Sequence, residues 1–327
     1  MNQQEPFYPP SDPRYNPPDP WAETQPQVPP PYYPPVERRR RRQQNQIPSW
    51  MRRRRRRASC LPFLTLFLIC FLILAIYFLA PLRTNVLLLG IDYAPGDSSV
   101  GRSDTIILTT FVPLKPYVGM LSIPRDLWVN VPGVGENRIN TAHFFAEAQE
   151  PGSGPSASMQ TIRQNFGVDV GYYLRIRFNG VREVVNAMGG VDITLDEPAA
   201  GYPAGTYHLT GNKALAFARQ RMGSDDFFRM EHGQLLIKSI FKQMLNPLKW
   251  PRLPAVIIAI FRSVDTNIPA WQWPRLGLAL LRLGPNGIDN RTVDREMVVP
   301  FVTSQGAEVL APNWELINPV LMKMFGQ

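Results

Sequence analysis

The chain has 327 residues and a formal net charge of +9, enough for one large domain or two small ones. The charge is uneven: residues 1–57 hold 12 arginines against 5 acids, net +7, and the remaining 270 residues are close to balance at +2. This excludes a basic globular surface. A disulfide framework is excluded too, because the only two cysteines, Cys60 and Cys70, share one apolar run.

Residues 1–37 contain 13 of the 34 prolines and little that could build a core, so they read as a disordered, partly polyproline tail. Arginine runs follow at 38–42 and 52–57. Alone they would suggest nucleic acid. Their neighbour decides otherwise: residues 58–82, ASCLPFLTLFLICFLILAIYFLAPL, carry no charge. Twenty-five residues as a helix exceed the roughly 30 Å apolar thickness of a bilayer, and arginines on the N-terminal flank obey the positive-inside rule. The expected organisation is a cytoplasmic tail at 1–57, one transmembrane helix at 58–82 and an extracytoplasmic domain at 83–327. The expectation is therefore a single-pass protein of the cell membrane with no nucleic-acid partner.

Beyond the anchor the pattern predicts strands at 86–92, 105–112 and 118–123, apolar on consecutive positions as in strands covered on both faces. A helix at 154–165, a strand at 172–178, a helix at 179–188 ended by Gly189-Gly190 and a strand at 191–195 follow. Residues 211–219 read as helix. Residues 227–245 form a longer one, with Leu236, Ile240 and Met244 on one stripe. Helices near 253–263 and 272–283, a strand at 293–300 and a helix at 313–325 complete the chain. The alternation predicts a single α/β domain of α/β/α layers around a central mixed sheet.

Taken as a meander, the first three strands gather charge at one end. Strand one ends at Asp92 and strand two begins at Asp104. A hairpin centred on Lys115 places residue 126 opposite residue 104, so Asp92, Arg102, Asp104, Arg125 and Asp126 are expected on one rim. Two carboxylates repel unless a cation or proton sits between them, arginines suit phosphate, and Mg²⁺ often binds through one or two carboxylates plus substrate phosphates. A magnesium–phosphate site and an Arg–Asp network that only knits the sheet end explain this rim equally well. A second cluster, ALAFARQRMGSDDFFRMEHGQ at 214–234, adds Arg219, Arg221, Arg229 and Asp226. Arg219 and Arg221 cannot share a face of one helix, so either the helix ends near Arg219, which Gly223 favours, or only one of the pair points inward. Arg229 falls in the first turn of the next helix, against the preference of the dipole. No histidine pair at metal spacing, nucleophile elbow or phosphate-binding P-loop is present.

Seven stretches in order, NVLLLGID (85–92), GRSDTIIL (101–108), MLSIPRDLWV (120–129), RINTAHFF (138–145), GGVDI (189–193), LTGNKALAFARQR (209–221) and DFFRMEHGQ (226–234), resemble the LytR-CpsA-Psr family, whose domain is also called the cell envelope-related transcriptional attenuator domain. The resemblance implies a phosphotransferase that moves a glycopolymer from a polyprenyl-pyrophosphate carrier to a cell-wall acceptor. It implies Mg²⁺ on Asp92 and Asp104, and pyrophosphate contacts from Arg102, Arg125, Arg219, Arg221 and Arg229. It also implies Asp104, Arg125 and Asp226 at the catalytic centre, and a lipid tail against Leu236, Ile240, Phe241 and Met244. Amphipathic stripes usually face a core, which is the competing reading of those four. The chain departs from the family at Tyr93-Ala94-Pro95 and at His232, where arginines are expected. Those departures keep a non-catalytic polyprenyl-phosphate binder in view, and the sequence leaves a polyprenyl pyrophosphatase as a further alternative.

Overall fold

The computed structural model describes residues 31–32, 61–79, 83–92, 100–113, 117–220, 226–284 and 287–326; the tail expected at 1–57 lies almost wholly outside them. Helix α1 (Leu61–Leu79) is followed by strands β1 (Thr84–Asp92), β2 (Arg102–Val112) and β3 (Tyr117–Ile123), and by a hairpin of β4 (Trp128–Val131) and β5 (Gly135–Arg138). Next come α2 (Thr141–Gln149), α3 (Gly154–Phe166), β6 (Tyr172–Arg177), α4 (Phe178–Ala187), the hairpin β7 (Val191–Leu195) and β8 (Gly205–Leu209), α5 (Gly211–Arg219) and α6 (Asp226–Met244). The last part holds α7 (Leu253–Ser263), β9 (Val264–Thr266), α8 (Trp273–Leu283), β10 (Ile288–Thr292), the hairpin β11 (Val298–Val302) and β12 (Glu308–Pro312), and α9 (Trp314–Phe325).

Six strands form one mixed sheet in the order β10-β3-β2-β1-β6-β9. The β1–β2, β2–β3 and β6–β9 pairs are antiparallel, and β1–β6 and β3–β10 are parallel. Both faces of the inner strands are covered, which is why their sequences do not alternate. Leu87, Leu89, Ile106, Leu108 and Leu121 point to one face, where Ile162 and Phe166 of α3 and Ile317 and Phe325 of α9 cover them. Val86, Phe111 and Val118 point to the other face, against Leu276 and Ala279 of α8. On the same side α4, α5, α6 and the β7–β8 hairpin share a separate core around Val185, Ile193, Phe217 and Leu236. The expected α/β/α architecture is what forms.

Two expectations are corrected. The strand expected at 293–300 forms only from Val298, as β11 of a separate hairpin: residues 288–292 before it are β10 of the central sheet, and Arg295–Met297 make a short 3₁₀ turn. Asp294 stops the strand by accepting from the Glu296 and Met297 N–H groups. The β2–β3 register is also one residue tighter, with Ile106 opposite Ile123 and Val112 opposite Tyr117. Extended by two residues, that register sets Arg125 rather than Asp126 across from Asp104.

Helix α1 accounts for Leu61–Leu79 of the expected membrane span, about 28 Å at 1.5 Å per residue. Among the described residues no helix is long and apolar enough to cross a membrane. The uncharged run extends beyond α1 into 58–60 and 80–82, which lie outside them.

The side chain of Gln234 ties α6 to the sheet. Its amide donates to Ser122 Oγ at 2.7 Å and to the Arg291 carbonyl at 2.8 Å, joining β3 and β10 from a buried position. Gln234→Ala leaves both acceptors unpaired and is expected to cost about 1–3 kcal/mol. Urea unfolding of the purified protein measures it, and an unchanged midpoint would rule out this tie.

Candidate functional site

Asp104 owes its position to an irregularity. In the β1–β2 ladder Gly90 faces Thr105 and Ile91 faces Ser103, so Asp104 is the extra residue of a β-bulge. A bulge bends the strand and re-aims the unpaired side chain. Pairing resumes with Asp92 opposite Arg102, which places Arg102 in the strand rather than in the loop before it. Gly101 permits this: a Cβ there would sit 2.4 Å from Ile91 Cγ2 and 2.6 Å from the Asp92 carbonyl oxygen.

The arginines close around this bulge from four directions. Arg125, just beyond β3, donates to Asp104 at 2.9 Å, and its Nε lies 3.4 Å from Asp126. Arg138 at the end of β5 reaches Asp126 at 3.2 Å. Arg229, in the first turn of α6, donates to the Asp104 carbonyl oxygen at 3.0 Å and lies 4.0 Å from its carboxylate. That bond is the compensation for a cation at the positive end of a helix. Arg219, the last residue of α5, pairs with Asp92 and lies over the Phe178 ring at 4.7 Å. Arg102 lies over the Phe144 ring at 5.4 Å. The helix ends at Arg219 as expected. Arg221 lies outside the described residues, as do Tyr93-Ala94-Pro95, and of Asp226 only its place as the first residue of α6 is described.

The rim therefore brings together Asp92, Arg102, Asp104, Arg125, Asp126, Arg219 and Arg229. Sequence reasoning missed Arg138, Arg177 at the rim end of β6 opposite Ile91, and the aromatic supports Phe144 and Phe178. Only the motif RINTAHFF held a signal for Arg138 and Phe144; periodicity carried none for the short β4–β5 hairpin.

The four expected lipid contacts separate. Leu236 is buried in the core between α5, α6 and β7. Ile240 and Met244 are partly buried against Val184 of α4, Met188 just beyond it and Val256 of α7, and Phe241 is half-buried. His232 stands at the position where an arginine was expected. It is buried, its ring packs on Phe217 at 4.9 Å, and burial pulls it below the ordinary histidine value against the raising effect of its bond to the Gln220 backbone.

Beneath Gly101 runs a second buried polar chain. His143 Nδ1 meets the Gly101 carbonyl at 3.1 Å, and its Nε2 meets Arg175 Nη1 at 3.3 Å. With arginine as donor on one side and a carbonyl as acceptor on the other, the ring is neutral with its proton on Nδ1. Burial first and Arg175 second lower its pKa. Arg175 also pairs with Glu147 at 2.9 Å and Asp265 at 2.7 Å. Burial raises Glu147, but bonds from the Gly152 and Gly154 backbones and from Arg175 outweigh it and hold the carboxyl below its usual range.

Asp92 and Asp104 supply hard oxygen donors, and among the described residues no group of three or more metal-ligating side chains forms. That fits an ion such as Mg²⁺, which takes one or two carboxylates and leaves its other positions to water and phosphate.

A sequence profile of the LytR_cpsA_psr family matches residues 81–318. The chain belongs to that family. A LytR_cpsA_psr relative from Oceanobacillus iheyensis, named polyisoprenyl-teichoic acid–peptidoglycan teichoic acid transferase TagU, is 39% identical over 193 residues, covering 56% of this chain and 58% of that protein. The protein of the same name from Enterococcus faecalis is 29% identical over 192 residues, 56% of this chain and 61% of that one. The chain thus spans less than two thirds of the curated relatives' length. Among solved structures, TagV of B. subtilis superposes with a TM-score of 0.61 at 22% identity, over 75% of this chain and 98% of that one. TagT bound to LI-WTA gives 0.58 at 22% identity, over 75% and 91%. These structures share the fold.

Two outcomes follow. Gly101→Ala overpacks the bulge and is expected to cost about 1–3 kcal/mol; an unchanged denaturation midpoint would mean that the close approach is not real. His143 and His232 are both lowered, whereas the unfolded chain takes up protons near pH 6.5. Their contribution is complete above about pH 6.5 and is lost as pH falls below it toward the folded values, because the unfolded state then binds more protons. Urea midpoints at pH 7.0 and 5.5 are expected to fall with pH, and His143→Gln with His232→Gln to flatten that slope; an equally steep slope in the double variant would exclude both rings as its source.

Proposed function

We propose that the protein is a membrane-anchored, Mg²⁺-assisted phosphotransferase that passes a glycopolymer from a polyprenyl-pyrophosphate carrier to a hydroxyl of a cell-wall acceptor. The observation that carries this reading is the arginine rim around the Asp104 bulge, on a chain whose relatives are named polyisoprenyl-teichoic acid–peptidoglycan teichoic acid transferases. Phosphoryl transfer asks a protein mainly for positioning and for neutralising charge on the phosphate oxygens. Arg102, Arg125, Arg219 and Arg229 come from separate elements and are held by Asp92, Asp104 and aromatic rings, so their guanidinium groups are preorganised for oxygens on two phosphates. Arg221 and Asp226 join them by sequence position. The acceptor oxygen attacks the phosphorus nearest the glycopolymer, the bridging P–O bond breaks, and polyprenyl phosphate leaves. When bound by Asp92 and Asp104, Mg²⁺ supplies charge that stabilises the leaving phosphate. Leu236, Ile240, Phe241 and Met244 lie on α6, which starts at the rim, and the carrier's chain is assigned to the half-buried side of that stripe.

Anchoring rests on the 25-residue uncharged run, the arginines before it, and α1, whose large side chains from Phe63 to Ile76 are almost all exposed. So much contiguous apolar surface marks contact with lipid or protein, and the flanking arginines favour a cytoplasmic N-terminus. The catalytic domain then lies outside the cell, beside lipid carriers.

Asp104→Ala is expected to reduce polymer transfer from a polyprenyl-pyrophosphate donor by about 100-fold or more, the range seen when one preorganised charge is removed. Transfer within a few-fold of wild type, with unchanged Mg²⁺ dependence, sinks the assignment. Release of free polyprenyl phosphate and hydrolysed polymer in the presence of acceptor would instead identify a pyrophosphatase.

A further inference from the structure

Helix α7 has an outer face that the fold does not use. Val256 is its one fully buried residue, while Ile257, Ile258 and Phe261 are exposed. With Leu248 and Trp250 just before the helix and Trp271 beyond it, six large apolar side chains stand 46–86% exposed. This is unlike α8, whose Leu276 and Ala279 pack into a core. Residues 245–263 also carry three basic side chains, Lys249, Arg252 and Arg262, and no acid.

Aromatic contacts join this face to the end of α1. Tyr77, in the last turn of α1, packs edge-on to Trp271 with ring centres 6.4 Å apart and donates its hydroxyl hydrogen to the Trp271 carbonyl. Two residues on, Trp273 packs edge-on to Phe261 at 6.3 Å. The direction of α7 matters as well. Arg252, just before it, donates to the Met188 carbonyl at the far end of α4 at 3.0 Å. At its other end Ser263 lies against Gly180 near the start of α4, where an added Cβ would come within 2.5 Å of the Ser263 Cβ. Because α4 starts where β6 reaches the rim, the C-terminal end of α7 lies on the rim side of the domain.

We propose that the outer face of α7, with Leu248, Trp250 and Trp271, lies in the headgroup layer of the bilayer that α1 enters. The inference rests on the anchor reading above and goes beyond it, because one helix fixes where the domain is tethered but not how it lies. Tryptophans, bulky aliphatics and basic residues without acids are the composition of a segment seated at an anionic lipid surface. The docking has a consequence for reach. Upright on its tether, the domain would hold Asp92 about 26 Å above Thr84 along β1. Lying on α7, it brings the rim down to the depth at which a lipid-linked pyrophosphate resides.

The test uses the full chain in lipid nanodiscs containing anionic phospholipid, with Cys60→Ser and Cys70→Ser as background. An environment-sensitive fluorophore is attached at Leu72→Cys in α1, Ile258→Cys on the patch, or Gln305→Cys in the β11–β12 turn. Headgroup-proximal doxyl lipid is expected to quench the label at 258 at least about twofold more than the label at 305, with blue-shifted emission, as for a segment buried ~5–10 Å into the interface. Quenching at 72 without quenching at 258 overturns the proposal and leaves the anchor standing. No quenching at 72 overturns the anchor reading and the proposal with it. A blue shift at 258 that does not depend on doxyl lipid means that a second copy or another protein covers the face, and also overturns it.

Discussion

One extra residue in β2 underlies the site. Without the bulge at Asp104, the strand would continue its regular alternation and this carboxylate would follow the sheet's two-residue period. With it, Asp104 leaves the ladder where β1 and β2 end, and its main chain and side chain become acceptors for arginines from beyond β3 and from α6. Gly101 is the steric condition for that arrangement, since the chain there passes against the backbone of Asp92. The remaining rim residues are placed relative to this point.

The rim is balanced in pairs rather than uniformly cationic. Each carboxylate has a guanidinium partner: Asp92 with Arg219, Asp104 with Arg125, Asp126 with Arg138. An anionic ligand does not enter a bare cluster of positive charge. It competes with carboxylates that already orient the arginines and limit repulsion among them. Arg102 and Arg219 rest on phenyl rings that keep part of each guanidinium dry and direct its edge outward.

Most of this framework was legible in the chain. The strands of the meander announced themselves through consecutive Leu, Ile and Val, because both faces of the sheet are covered. The end of α5 near Arg219 was signalled by Gly223, once the spacing of Arg219 and Arg221 ruled out one helical face for both. The register was not legible: placing residue 126 opposite residue 104 rested on the centre of a short hairpin, where one residue of slip is invisible to composition. The bulge was hidden for the same reason, since Arg102, Ser103 and Asp104 look alike whether paired or extruded. His232 stood out in the sequence only as a departure where an arginine was expected, and its burial against Phe217 depends on tertiary packing that no local pattern encodes.

The two halves of the rim lie far apart along the chain. Asp92, Asp104 and Arg125 belong to a meander joined by short loops, whereas Arg219 and Arg229 reach their acidic partners across 127 and 125 residues. Local strand pairing closes its loops at low entropic cost, and the distant contacts wait for helices α2 to α6 to be in place. The rim is thus a seam, where a locally closed meander meets elements that come from far along the chain. An anionic ligand bridging the two sides, as proposed above, would act as a clasp on that joint and couple binding to closure of the domain through the same few arginines.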